Sequence, residues 1–163
     1  IPVSGGKDSH FQAWYAKELG LNPLLVTYYT YNYTKTGEYN LKNIHESLGL
    51  DHYIFYPSKD VIIKMNKIGF YMTGDMSWHF HCGVWTIPFQ MAVKFKTPLI
   101  IYGEHGFTDL AGQYSMDDLP EFTKRARTED MLRGYSENDF IGQEGLQEKD
   151  LLWAKYPNDK EIE

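Results

Sequence analysis

Short, β-rich apolar runs alternate with helix-length periodic stretches along the first hundred residues, and this alternation constrains the fold more than any other feature. Residues 1–4 (Ile-Pro-Val-Ser), 23–29 (Pro-Leu-Leu-Val-Thr-Tyr-Tyr), 52–56 and 98–102 (Pro-Leu-Ile-Ile-Tyr) read as strands. Between the first two, Phe11, Trp14, Tyr15, Ala16 and Leu19 recur mostly at three- and four-residue spacings, and Gly20 suits a helix C-terminus. Thr36 is the expected cap of a second helix through Leu41, Ile44 and Leu48 to Gly49, and Ser58 of a third through Val61, Ile62, Met65 and Ile68. Residues 82–96 read as a fourth, with Pro88 near its first turns or kinking it. Strands and helices in this order predict an α/β fold with a mainly parallel sheet and helices on both faces.

Beyond Gly103 the periodicity weakens. Residues 117–133 read as a polar helix interrupted by Pro120, and Leu151, Leu152 and Trp153 are scattered apolar anchors. The charge changes at the same place: residues 1–100 carry +2 and residues 101–163 carry −8 of the net −6. A broad nucleic-acid surface needs the reverse balance, so no nucleic-acid partner is expected. The single cysteine, Cys82, rules out an internal disulfide and a four-cysteine zinc site. No apolar run reaches the length of about 18 residues that crosses a bilayer, and nothing at the start reads as a signal peptide, so a cytoplasmic protein without a membrane partner is expected. With 163 residues, 42% of them hydrophobic, one domain is expected: a core over about residues 1–103 and an acidic, substrate-side or partner-side extension over about 104–163. An apolar stub of three residues before a glycine turn, with no initiator Met, reads as a piece truncated at both ends.

The stretch richest in chemistry is Ser4-Gly5-Gly6-Lys7-Asp8-Ser9, between the first strand and the first helix. A helix N-terminus presents unpaired N–H groups and a partial positive charge, and glycines let phosphate oxygens approach the backbone. Lys7 adds a full charge, while Ser4 and Ser9 add hydroxyls. Asp8 would repel a phosphate unless a divalent cation lay between them, so Asp8 is expected to help place Mg²⁺. The spacing fits neither a Walker A loop, because Asp8 follows Gly-Lys, nor a dinucleotide fingerprint, because only two adjacent glycines are present.

The hexapeptide resembles the PP-loop of the N-type ATP pyrophosphatases, which cleave ATP between the α- and β-phosphates. Three later stretches narrow the likeness: Asn22-Pro23-Leu24-Leu25-Val26-Thr27, His81-Cys82-Gly83-Val84-Trp85-Thr86-Ile87-Pro88, and Phe95-Lys96-Thr97-Pro98-Leu99-Ile100-Ile101-Tyr102-Gly103-Glu104. Together with the loop they resemble the N-acetyl sugar amidotransferase family of bacterial surface-polysaccharide (lipopolysaccharide O-antigen) biosynthesis, over the whole chain. The resemblance implies a Rossmann-like (HUP-type) fold, ATP and Mg²⁺ as cofactors, a nucleotide-linked acetamido sugar as substrate, and a glutaminase partner that supplies ammonia. It implies an AMP-forming enzyme that converts the acetamido group to an amidine. Family members carry a cysteine-bearing segment before the loop strand and continue past the position of Glu163. Two alternatives share the loop: tRNA thiolation by the same adenylylation chemistry, and a non-catalytic nucleotide-binding module.

By this resemblance Ser4, Gly5, Gly6, Lys7, Asp8 and Ser9 bind the pyrophosphate, with Lys7 and Asp8 catalytic. Ligands of open α/β sheets sit beyond the strands' carboxyl ends. Thr27 to Thr30 end the second strand and Gly103-Glu104 the fourth, so both are expected to face the loop. The resemblance gives Thr27 and Tyr28 to the AMP moiety and Gly103 to the nucleotide, and Glu104 is assigned to a second Mg²⁺ or the substrate, with a solvated loop carboxylate as its plain reading. Tyr28, Tyr29, Tyr31 and Tyr33 either stack on a ligand ring or pack. The run His79-Phe80-His81-Cys82, with His105, matches no standard zinc spacing. His81 is assigned to the substrate or to a hydrogen bond, and Cys82 to a buried small side chain. Lys124, Arg125, Arg127 and Arg133 either meet the substrate's diphosphate or pair with Glu121, Glu129 and Asp130 on a solvated face.

Overall fold

The structure is a computed structural model, which describes residues 1–103, 117 and 123–162. The chain divides into two compact units, Ile1–Pro57 with Ile87–Gly103, and Ser58–Thr86 with Glu104–Glu163.

The first unit is α/β. Strand β1 (Leu25–Tyr28) pairs in parallel with β2 (His52–Phe55), in the register Leu25 to His52 through Tyr28 to Phe55. A parallel pair cannot be joined by a tight turn, and helix α2 (Lys35–Leu48) makes the crossover. On the other side of β1, Pro2 forms a parallel bridge to Val26: Val3 N–H donates to Val26 O at 2.9 Å, and Val26 N–H to Ile1 O at 2.9 Å. With a neighbour on each side, β1 is buried at all four residues, whereas β2 is half-buried throughout. Val3, Ala13, Leu25, Ile44 and Leu50 form the core, with Ile1 and Leu48 packed against them.

Helix ends follow local chemistry. Thr34, rather than Thr36, caps α2: its hydroxyl accepts from Gly37 N at 3.1 Å, and Gly49 closes the helix at φ 62°. Helix α1 (Lys7–Glu18) lies where the apolar spacing predicts, but it buries Ala13 and Ala16 and leaves Phe11, Trp14, Tyr15 and Leu19 half to two-thirds exposed. Small residues on that side let α1 lie close to its neighbours, and the bulky stripe turns outward.

The predicted fourth strand, residues 98–102, pairs with no strand among the described residues. Pro98 has no N–H to give a ladder. The preceding turn is set by Lys96 at φ 53° and by Thr97 N–H donating to Ala92 O. Leu99, Ile100 and Ile101 instead wall an apolar cavity of about 250 Å³ with Ile1, Leu24 and Met91.

The second unit is helical among its described residues. Helix α3 (Lys59–Thr73) starts after Ser58, as predicted, and ends at Gly74 with φ 72°. Helix α4 (Trp78–Phe95) begins four residues earlier than predicted, because Asp75 Oδ1 accepts from Ser77 N at 2.7 Å and organises its entry. Its residues 78–86 belong to this unit and 87–95 to the first, the change falling one residue before Pro88. Trp78 packs on Phe140 at 4.4 Å and donates from Nε1 to Leu132 O at 3.0 Å. Leu151 and Trp153 are buried anchors, while Leu152 points out. The predicted polar helix is present over 124–131, mostly as a π-helix (Ala126–Met131), and the remainder of 117–133 other than Asp117 and residues 123–133 lies outside the described residues. Among the described residues no helix is long and apolar enough to cross a membrane.

Candidate functional site

The glycine turn of residues 4–9 leaves the bridge-paired segment 1–3 and opens α1. Gly5 sits at φ 80°, and a Cβ there would lie 2.8 Å from Leu41 N of α2, so only glycine fits both the dihedral and the space. Two serines brace the turn. Ser4 N–H donates to Ser9 Oγ at 3.0 Å, Gly6 N–H to Ser4 Oγ at 3.4 Å, and the two hydroxyls lie 3.3 Å apart. Gly6 is the N-cap residue and offers no side chain to the first-turn N–H groups, which have no partner within the helix. His10 Nδ1 donates to Gly6 O at 3.0 Å, fixing that carbonyl. Lys7 and Asp8 project into solvent with their charges 3.8 Å apart.

This donor set fits an anionic ligand with a cation. Backbone N–H groups, two hydroxyls and an ammonium group suit phosphate oxygens. Magnesium needs only one or two protein carboxylates when phosphates supply the other oxygens, and exposed Asp8 offers one. Among the described residues no group of three or more metal-ligating side chains exists.

The other assigned residues divide. Gly103 lies beside α1, where a Cβ would come 3.2 Å from Gln12 Oε1. Thr27 faces inward, 2% exposed: its hydroxyl donates to Val3 O at 2.6 Å and accepts from His52 Nε2 at 2.8 Å. Its side chain thus ties β1 to both neighbours. Burial and the neighbouring His45 hold His52 down to about 4, so the ring that completes this contact is neutral near pH 7. Tyr28 is also buried, near Phe55. The tyrosines just beyond β1 stand at the strands' carboxyl edge. Tyr29 packs 5.0 Å from Tyr31, 5.0 Å from Tyr33 and 4.6 Å from Tyr56, which follows β2. Tyr29 OH donates to Glu38 Oε1 at 2.8 Å, and that bond, with partial burial, pushes the phenol up to about 12. Sequence reasoning missed Tyr56 and Glu38; the available signal was that residues 29 and 56 each follow a strand of one parallel pair.

In the second unit, His81 Nε2 lies 3.4 Å from Ser77 Oγ, which donates to Asp75 Oδ1; Arg133 Nη1 reaches Asp75 Oδ2 at 2.8 Å. Burial and then Arg133 lower the His81 pKa, and burial takes His79 down to about 4. Because Ser77 donates to the carboxylate, its hydroxyl accepts from His81, the reverse of an activated nucleophile. Glu104 and His105 lie outside the described residues. Cys82 is fully buried, donates to Ala154 O at 3.2 Å, and has its thiol pKa raised by burial, which makes it inert as a sulfur carrier. The basic cluster is paired with acids: Lys124 and Arg127 with Asp159, Arg125 with Glu129, and Arg133 with Asp75.

Compared with known proteins, the chain matches no family model and no curated protein.

Proposed function

We propose that the protein is an ATP-dependent, AMP-forming amidotransferase of the PP-loop class, acting on the acetamido group of a nucleotide-linked sugar. One observation carries the reading: the turn of residues 4–9 leaves a segment bridged in parallel to β1 and opens α1 with its first-turn N–H groups uncapped. On this reading the β1–α2–β2 crossover and its Pro2 bridge are part of a Rossmann-like sheet.

An amide oxygen is a poor leaving group, so ammonia does not displace it directly. The acetamido oxygen attacks the α-phosphorus of ATP and expels pyrophosphate; ammonia then adds to the imidate carbon, and AMP departs with that oxygen. Lys7 and the first-turn N–H groups hold the pyrophosphate and stabilise the charge that develops on it. Asp8 would hold Mg²⁺, which supplies charge neutralisation to the phosphates when bound. The serine pair and His10 keep the turn in the shape that presents those donors. A glutaminase partner is the ammonia source.

Incubating the protein with ATP, Mg²⁺, ammonia and a nucleotide-linked acetamido sugar tests this. The expected products are AMP and pyrophosphate in equal amounts; ADP and phosphate would remove the assignment. Lys7→Ala is expected to lower turnover by about 100-fold or more, on the scale of losing one preorganised charge donor. A non-catalytic nucleotide-binding module would show no turnover to lose. Thiolation by a cysteine relay is disfavoured by the burial of Cys82.

A further inference from the structure

The carboxyl edge of the parallel strands carries a second surface in the same unit as the glycine turn, and phosphate binding leaves it unused. Three of its rings are fastened. Tyr31 is held at φ 62°, an unusual setting for an aromatic residue, and donates from its hydroxyl to Pro57 O at 2.8 Å. Tyr33 stacks on Tyr29, and Tyr29 is tied to Glu38 in the first turn of α2. Tyr56 lies against Tyr29 at 38° between planes, yet it remains 57% exposed. Packing alone gives no reason to order three tyrosines beside a fourth whose ring stays in water.

We propose that the open face of Tyr56, with the Glu38 carboxylate and the neighbouring tyrosine hydroxyls, binds the pyranose ring of the acetamido sugar; this rests on the amidotransferase reading above. A pyranose has an apolar C–H face and a rim of hydroxyl donors. One open aromatic face beside hydroxyls and a carboxylate meets both needs. A nucleobase also stacks on one open ring face but fits less well, because it lacks the rim of hydroxyl donors that a pyranose offers to the Glu38 carboxylate. Phosphates fit least, because Glu38 repels them whereas Lys7 and the turn attract them.

The reach is also right. Residues 1–3, β1 and β2 lie side by side, and neighbouring strands stand about 5 Å apart, so the turn and Tyr56 begin within about 10 Å along one edge. A sugar on Tyr56 can then turn its acetamido group toward an α-phosphate held near the turn. This position differs from His81, which belongs to the other unit.

Saturation-transfer NMR without ATP tests the platform directly, with UDP-N-acetylglucosamine and UDP-N-acetylgalactosamine as probes and ATP as a separate arm. Transfer to the pyranose C–H protons is expected in the native protein, to fall about threefold to tenfold in Tyr56→Ala, and to persist in Tyr56→Phe, as the loss and retention of one aromatic contact require. ATP binding is expected to be unchanged in both variants. Absence of ring transfer in the native protein, ring transfer that survives Tyr56→Ala, or loss of ATP binding in Tyr56→Ala with sugar transfer intact would each overturn the proposal. Circular dichroism separates a folding defect from a binding one, and Tyr56→Phe restores the ring if Tyr56→Ala misfolds. Formation of AMP and pyrophosphate is read in a different assay, so failure of the platform and failure of the amidotransferase reading are distinguishable.

Discussion

Gly5 and Gly6 are adjacent and chemically identical, yet they answer to different forces. Gly5 has φ 80°, and an added Cβ would press on the backbone of Leu41 at 2.8 Å and 3.0 Å, where nothing can rotate away. Gly6 has an extended φ of −72°, and its Cβ would meet only the Ser4 hydroxyl at 3.4 Å. Gly5→Ala is therefore expected to cost about 2 to 4 kcal/mol in urea unfolding, from left-handed strain plus overpacking. Gly6→Ala is expected to stay within about 0.5 kcal/mol of the native protein, while its new methyl group blocks close approach to the turn and weakens ATP binding in calorimetry. Equal destabilisation by the two changes would show that the turn is built for folding alone.

At the scale of elements, α2 links the fold to the tyrosine edge. Thr34 caps its N-terminus, and Glu38 in the first turn holds Tyr29. Thr34→Ala is expected to lower stability by about 1 kcal/mol in thermal unfolding, and fraying of that turn is expected to loosen Tyr29 and change tyrosine fluorescence below the unfolding transition. Helix ends such as Ser58, Gly20 and Gly49 were legible in the sequence because they depend on a few neighbouring residues. The glycine turn was legible for the same reason. Other features depend on partners remote in sequence. The stripe from Phe11 to Leu19 marked a helix but not which side it buries, and Ala13 and Ala16 decided that by letting the backbone approach. Likewise Pro-Leu-Ile-Ile-Tyr has strand composition, but pairing requires a neighbouring edge and donors that Pro98 cannot supply. Thr27 stands at the end of a strand, as its assignment to AMP required, yet Val3 and His52 take up its hydroxyl. The tyrosine platform needed the β1–β2 register, which brings residues 29 and 56 together across a helix.

At the scale of the whole molecule, each compact unit contains a histidine, half-buried in the first and buried in the second, whose neutral form the fold requires. His52 opens β2 in the first unit, its Nε2 reaching Thr27 of β1, and His79 is 6% exposed in the second; both are held down to about 4, first by burial and then by a neighbouring histidine. In the unfolded chain each takes up a proton near pH 6.5, so between that value and about 4 the unfolded state binds more protons and stability falls as pH falls. Linkage puts the expected loss at roughly 1 kcal/mol per histidine by pH 5.5 and about 3 kcal/mol by pH 4. The ion-paired carboxylates act in a different window. Hydrogen bonds from Ser77, with Arg133, lower the pKa of Asp75, and Lys124, with Arg127, lowers that of Asp159, so both stay ionised through the histidine range. Their stabilisation disappears only as pH drops below the usual carboxylate values. Unfolding measured from pH 7.5 downward should therefore show a stability decline that begins near pH 6.5, well before the carboxylates protonate. His52→Gln can keep a donor to Thr27 without taking up a proton in the unfolded chain, and is expected to flatten the part of the slope that comes from the first unit. A native profile that stays level down to pH 5 would mean that neither ring is held neutral by the fold.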